Sequence, residues 1–118
     1  MTISLKLTFE ERRYIFVALR FCSSRAPQLH GEPNYSEIHE RCTCLAMAEM
    51  LDKIDAFQLM KPNEILKLKF TRSKWAAVYS SLDFIWHARE HKSETEIMFL
   101  RSLLGRIYPI ISNNQIFA

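Results

Sequence analysis

Glycine is nearly missing from this 118-residue chain, with two residues, and proline stands at an ordinary four. Sandwiches and barrels need many tight turns with special backbone angles, so this scarcity excludes them and argues for helices joined by few connections. No stretch approaches the roughly 18 consecutive apolar residues that a bilayer-spanning helix requires. The opening residues, Met1 to Lys6, lack a charged segment followed by an apolar one. No secretory signal is read there, no membrane partner is expected, and the expected location is cytoplasmic. Cysteine is sparse and odd in number: Cys22, Cys42 and Cys44. That count predicts free thiols, with Cys42 packing in the core as a small hydrophobe. A Gly-rich phosphate loop, a nucleophile elbow and a dinucleotide fingerprint are all absent, and two glycines could hardly build one.

Apolar side chains, by contrast, are plentiful. They make up 48% of the residues and include eight Phe, four Tyr and two Trp. This supplies one packed core and excludes a disordered chain. The length fits a single domain over residues 1–118, whereas two separate domains would each be marginal. The net charge is +3 but it is segregated. Residues 1–30 carry five basic and two acidic side chains (+3), residues 31–60 two and six (−4), and residues 61–92 seven and three (+4). Such segregation permits an anionic partner without requiring one.

Along the chain, Ile3, Leu5 and Leu7 alternate with Ser4 and Lys6, the period of a half-buried strand. Thr8-Phe9-Glu10-Glu11 then has the Thr-x-x-Glu form of a capping box and predicts a helix to about Cys22 or Ser24. Every position from Tyr14 to Cys22 except Arg20 is apolar, which predicts a helix surrounded on most sides. Residues 25–34 hold half the prolines and one glycine and are read as a loop. Asn34-Tyr35-Ser36-Glu37 repeats the capping logic. A second helix follows, with Ile38, Leu45, Met47, Met50, Leu51, Ile54 and Phe57 as its apolar stripe, and Pro62-Asn63 ends it.

The pattern then restarts. Leu66, Leu68 and Phe70 alternate with Lys67 and Lys69, and Thr71 stands where Thr8 stood. A third helix carries Trp75, Val78, Tyr79, Leu82, Ile85 and Trp86. Ser93-Glu94-Thr95-Glu96 opens a fourth, with Ile97, Leu100, Leu103, Leu104 and Ile107 as its stripe and Pro109 expected to end or kink it. Sliding residues 3–21 onto 66–84 aligns Leu5 with Leu68, Lys6 with Lys69, Thr8 with Thr71, Leu19 with Leu82 and Phe21 with Phe84. A lone strand–helix–helix unit has an unpaired strand and an open apolar face; two units satisfy each other. The expected fold is therefore helix-rich α+β. A duplicated β-α-α unit (residues 2–60 and 64–111) forms a two-stranded sheet on four helices, and pseudo-twofold symmetry predicts antiparallel strands.

Three constellations bear on chemistry. His87-Ala88-Arg89-Glu90-His91 has the H-x-x-E-H spacing of the inverted zinc peptidases, in which two His bind zinc and Glu activates water. The resemblance covers five residues, at the frayed end of an amphipathic helix, in a chain far smaller than those peptidases. His87 and His91 are read as exposed histidines favouring a helix C-terminus, with at most adventitious metal binding. His39-x-x-Cys42-x-Cys44 offers three ligand types, but on a helix position 44 points about 160° from 42, so the three do not converge. No catalytic set is found, and no metal or cofactor is expected.

Two surfaces remain. With the apolar strand residues facing the helices, Lys6, Lys67 and Lys69 share the opposite face. Arg72 and Lys74 begin the third helix beside it, and Arg12 and Arg13 hold the corresponding places on the first. This ribbon is a candidate for phosphate contact, although lysines there also serve solubility and block edge pairing. The other surface is apolar. Tyr14, Phe16, Val17 and Phe21 cover more of the first helix than a thin domain buries with ease, and Ile116 and Phe117 add an apolar tip. These features predict a non-catalytic interaction or regulatory protein that binds a protein partner or a second copy of itself. Nucleic-acid binding on the basic face is the alternative.

Overall fold

The computed structural model of the protein describes residues 2–29, 35–57, 65–88 and 93–112. Its elements run β1 (Thr2–Leu7), α1 (Phe9–Leu29), α2 (Tyr35–Phe57), β2 (Leu66–Thr71), α3 (Arg72–Ala88) and α4 (Glu94–Ser112). The two strands form one antiparallel sheet, with Thr2 opposite Thr71 and Leu7 opposite Leu66. The helix-rich α+β class and the strand direction are as the alternation and capping signals predict. The radius of gyration is 14.5 Å, that of a compact chain.

The period-two alternation divides the sheet cleanly. Leu7, Leu68 and Phe70 are buried, with Ile3 and Leu5 packed against the same core. Under them lie Ile15, Ala18 and Leu19 of α1, Trp75, Val78 and Leu82 of α3, and Leu100, Leu103 and Ile107 of α4. The helices carry their buried residues at spacings of three and four, so each side chain withdraws onto one face. Each fully buried Leu or Ile contributes about 1.5–3 kcal/mol relative to an exposed one. Trp75 is central: its ring meets Phe70 edge-on at 5.0 Å, and its Nε1 donates to the Ile3 carbonyl at 2.8 Å.

The helix starts follow their sequence signals. The Thr8 amide donates to Glu11 Oε1 at 2.9 Å and the Glu11 amide to Thr8 Oγ1 at 3.2 Å, a reciprocal box. At α3 the Lys74 amide donates to Thr71 Oγ1 at 3.3 Å, and at α4 the Glu96 amide donates to Ser93 Oγ at 3.1 Å. The cap expected at Asn34 and the stop at Pro62-Asn63 lie outside the described residues.

Several expectations are corrected. First, α1 does not stop at Cys22 or Ser24 but continues to Leu29, so the first five residues of the expected loop are helical. Along α1 the apolar positions from Tyr14 to Cys22 are buried or half-buried except Val17, which is 54% exposed. In α2 the inward stripe is Cys44, Met47, Ala48 and Leu51, while Leu45 and Met50 are exposed. Cys42 is likewise exposed and Cys44 takes the core position, because residues two apart on a helix point to nearly opposite sides. Finally, Pro109 does not end α4, which runs on to Ser112. Arg72 holds that last turn by donating from Nε and Nη2 to the Ile111 carbonyl at 3.2 and 2.6 Å.

Candidate functional site

The outward face of the sheet follows from its register. Thr2, Ser4 and Lys6 on β1 stand opposite Thr71, Lys69 and Lys67 on β2. Lys6, Lys67 and Lys69 are all exposed, and among the described residues no carboxylate belongs to this face. Lys6 and Lys67 are direct cross-strand partners, which sets their Cβ atoms about 5 Å apart. Lys69 follows Lys67 by two residues, about 6.8 Å along the strand.

The four other basic residues grouped with this face are placed differently. Arg12 is fully buried, donates from Nη1 to the Leu7 carbonyl at 2.9 Å, and lies 5.7 Å from the Phe9 ring centre. It fastens the end of β1 from inside. The signal for this was available: Arg12 sits three residues before Ile15, in line with the inward stripe of α1. Arg72 is turned to the Ile111 carbonyl. Arg13 lies over the Phe16 ring at 4.8 Å and pairs with Asp52 at 3.7 Å. Lys74 is exposed, but it borders a small open pocket with Thr43, Ala46, Met47 and Met50. The structure thus brings together three lysines rather than seven cations.

The apolar surface lies between α1 and α2. Phe16, Val17, Phe21 and Leu45 line an open groove of about 640 Å³, with Arg20 and Ser23 at its margin. Val17 at 54% and Leu45 at 39% are its most exposed large apolar side chains. Phe21 is half-buried and anchored by Phe84, with ring centres 5.5 Å apart. Tyr14 belongs elsewhere. Its hydroxyl donates to Glu96 Oε1 at 3.0 Å and its ring lies 5.4 Å from Phe99, so it joins α1 to α4. Ile116 and Phe117 lie outside the described residues. Leu45 was counted inside on the sequence pattern, so its part in the groove was missed.

The polar groups with catalytic potential are dispersed. His87 is exposed, and its Nδ1 lies 2.8 Å from the Asp83 carbonyl and 3.5 Å from the Asp83 carboxylate. Glu90 and His91 lie outside the described residues. Buried Cys44 Sγ lies 3.7 Å from Ser81 Oγ, and that hydroxyl donates to the Ala77 carbonyl at 2.9 Å. Among the described residues no group of three or more His, Cys, Asp or Glu is placed to hold a metal ion. No described helix is long and apolar enough to cross a membrane. Comparison with protein-family models, curated proteins and solved structures returns no match, so the roles of these two surfaces are argued from their own chemistry.

Proposed function

We propose that this chain is a non-catalytic interaction or regulatory protein that acts through protein–protein binding, with the α1–α2 face as its docking surface and a second copy of the chain as its occupant. The observation that carries this reading is the exposure of Val17 and Leu45 on adjacent helices, flanking a groove that Phe16 and Phe21 also line, with Arg20 and Ser23 at its margin. A twofold interface sets one patch against itself, and an apolar patch is complementary to itself without any matching charge. Covering it removes apolar area from water at about 25 cal/mol per Å².

The reading includes the origin of the fold as two strand–helix–helix units packed as one domain over residues 1–118. An offset of 63 carries the buried residues Leu7, Ile15 and Leu19 onto the buried Phe70, Val78 and Leu82. Arg12 and Ala18 fall in the same way on Trp75 and Ser81, again buried on both sides. An offset of 56 carries Cys44, Met47 and Leu51 onto Leu100, Leu103 and Ile107. The seven-residue difference between the offsets falls at the facing helix ends: α3 stops four residues before the position matching Leu29, and α4 starts three residues after the position matching Tyr35.

Light scattering on a sizing column tests the interaction reading. The chain of 13.9 kDa is expected at twice that mass, unchanged by moderate salt. The double variant Val17→Lys, Leu45→Lys is expected at the single-chain mass with its helical circular dichroism retained. A single-chain mass for the unaltered protein up to about 100 μM, a range that spans ordinary specific dimers, sinks the proposal.

A further inference from the structure

The outward sheet face carries a second inference, independent of the α1–α2 groove. We propose that Lys6, Lys67 and Lys69, with the Ser4 and Thr2 hydroxyls beside them, form a binding surface for the phosphate backbone of duplex DNA. Lys6 and Lys67 are direct cross-strand partners, and Lys69 stands opposite Ser4 one pair further along. Like charges placed directly opposite destabilise a sheet, whereas Lys opposite Glu would stabilise it. A face serving solubility alone is served as well by mixed signs. Among the described residues none of the three lysines pairs with a carboxylate. An anion from outside the chain would relieve this repulsion.

The shape and chemistry of the face select the anion. All three lysines are exposed on one side of a two-stranded ribbon, with Ser4 opposite Lys69 and Thr2 one pair further along, and among the described residues no bulky side chain on that face holds a partner away. Ser and Thr hydroxyls donate to phosphate oxygens, as lysine does. The two lysines of β2 stand about 6.8 Å apart, about two steps of phosphate rise along one DNA strand. The face has no aromatic ring for base stacking, which disfavours single strands, and no apolar side chain to enter a bilayer, which disfavours a lipid surface. It also has no Arg, Asn or Gln for reading base edges, so binding is independent of sequence.

Fluorescence anisotropy with two 24-base-pair DNA duplexes of unrelated sequence tests this with the full chain. Three phosphate contacts predict a slope of about −2.7 in log affinity against log salt, so raising salt from 50 to 200 mM weakens binding about 40-fold. Replacing any one lysine with Gln should reduce that loss to about 12-fold. Lys→Arg at the same positions should leave the slope unchanged, and so should Lys53→Gln, which removes an exposed charge from α2. Exposed Lys→Gln changes keep the fold, which the dichroism spectrum of each variant verifies. Three outcomes would overturn the proposal: no duplex binding at 50 mM salt, a slope unmoved by the three Gln variants, or binding to phosphatidylserine vesicles without binding to DNA. Because Val17 and Leu45 lie on other elements, their Lys variants leave this test readable whether or not the chain pairs with itself.

Discussion

Arg106, near the end of α4, donates from Nη1 to Glu11 Oε2 at 2.5 Å, while the other oxygen of the same carboxylate accepts the Thr8 amide. The guanidinium also donates to the Lys6 carbonyl. One carboxylate thus caps α1 and anchors α4 to the junction of β1 and α1. Glu11 is 12% exposed and Arg106 38%, so the pair is only partly screened. Glu11→Ala is expected to cost about 1–3 kcal/mol, combining a lost cap with a lost charge-assisted bond. Arg106→Ala should cost less, about 1 kcal/mol, because its side chain is the more exposed. Urea unfolding followed by circular dichroism measures both, and equal stability in all three proteins would show that the contact does not hold the fold.

Relieving the lysine repulsion should stabilise the sheet. Lys67→Glu turns the Lys6 pair from like to unlike charges and is expected to raise stability by about 0.2–1 kcal/mol. Duplex binding should fall in the same variant. A thermal melt that shows Lys67→Glu to be less stable would mean that the exposed face is not set by this pair.

Pro109 lies inside α4 and is exposed there, with no N–H to offer the Gly105 carbonyl. Pro109→Ala supplies that donor and is expected to raise stability by about 1–3 kcal/mol. A fall in melting temperature would instead assign the proline ring a packing role.

The three cysteines should separate by reactivity. Exposed Cys42 is expected to react first with a thiol reagent under native conditions, and buried Cys44 only on unfolding. Cys42→Ser should change stability by no more than about 0.5 kcal/mol. Cys44→Ala empties a site against Ser81 and should cost about 1 kcal/mol or more. Equal labelling rates for the two thiols would contradict the register given to α2.

Much of the fold was legible in the sequence because its signals are local. The alternations at Ile3–Leu7 and Leu66–Phe70, the caps at Thr8, Thr71 and Ser93, and the spacing from Trp75 to Ile85 each specify an element within a few residues. The three lysines of the sheet face follow from the same alternation. What was not legible depends on partners distant in the chain. Arg12, Arg13 and Arg72 read as surface cations, yet each is turned toward a carbonyl, ring or carboxylate that no spacing rule supplies. From Cys44 to Leu51 every residue of α2 except Glu49 is apolar, so several stripes compete, and contact with α1 and α3 decides among them. Continuation of α4 past Pro109 likewise comes with a tertiary contact, the bond from Arg72 to the Ile111 carbonyl.

The bond from Trp75 to the Ile3 carbonyl has a consequence for synthesis. The first strand is completed largely by distant residues: its ladder comes from residues 66–71, and the Ile3 and Lys6 carbonyls receive Trp75 and Arg106, while nearby Arg12 holds the Leu7 carbonyl. As the chain leaves the ribosome, α1 and α2 can close into a hairpin while β1 waits with an unpaired edge and bare Leu side chains. That interval lasts until β2 and Trp75 have also emerged, and it is then that capture by chaperones or by another nascent strand competes with folding.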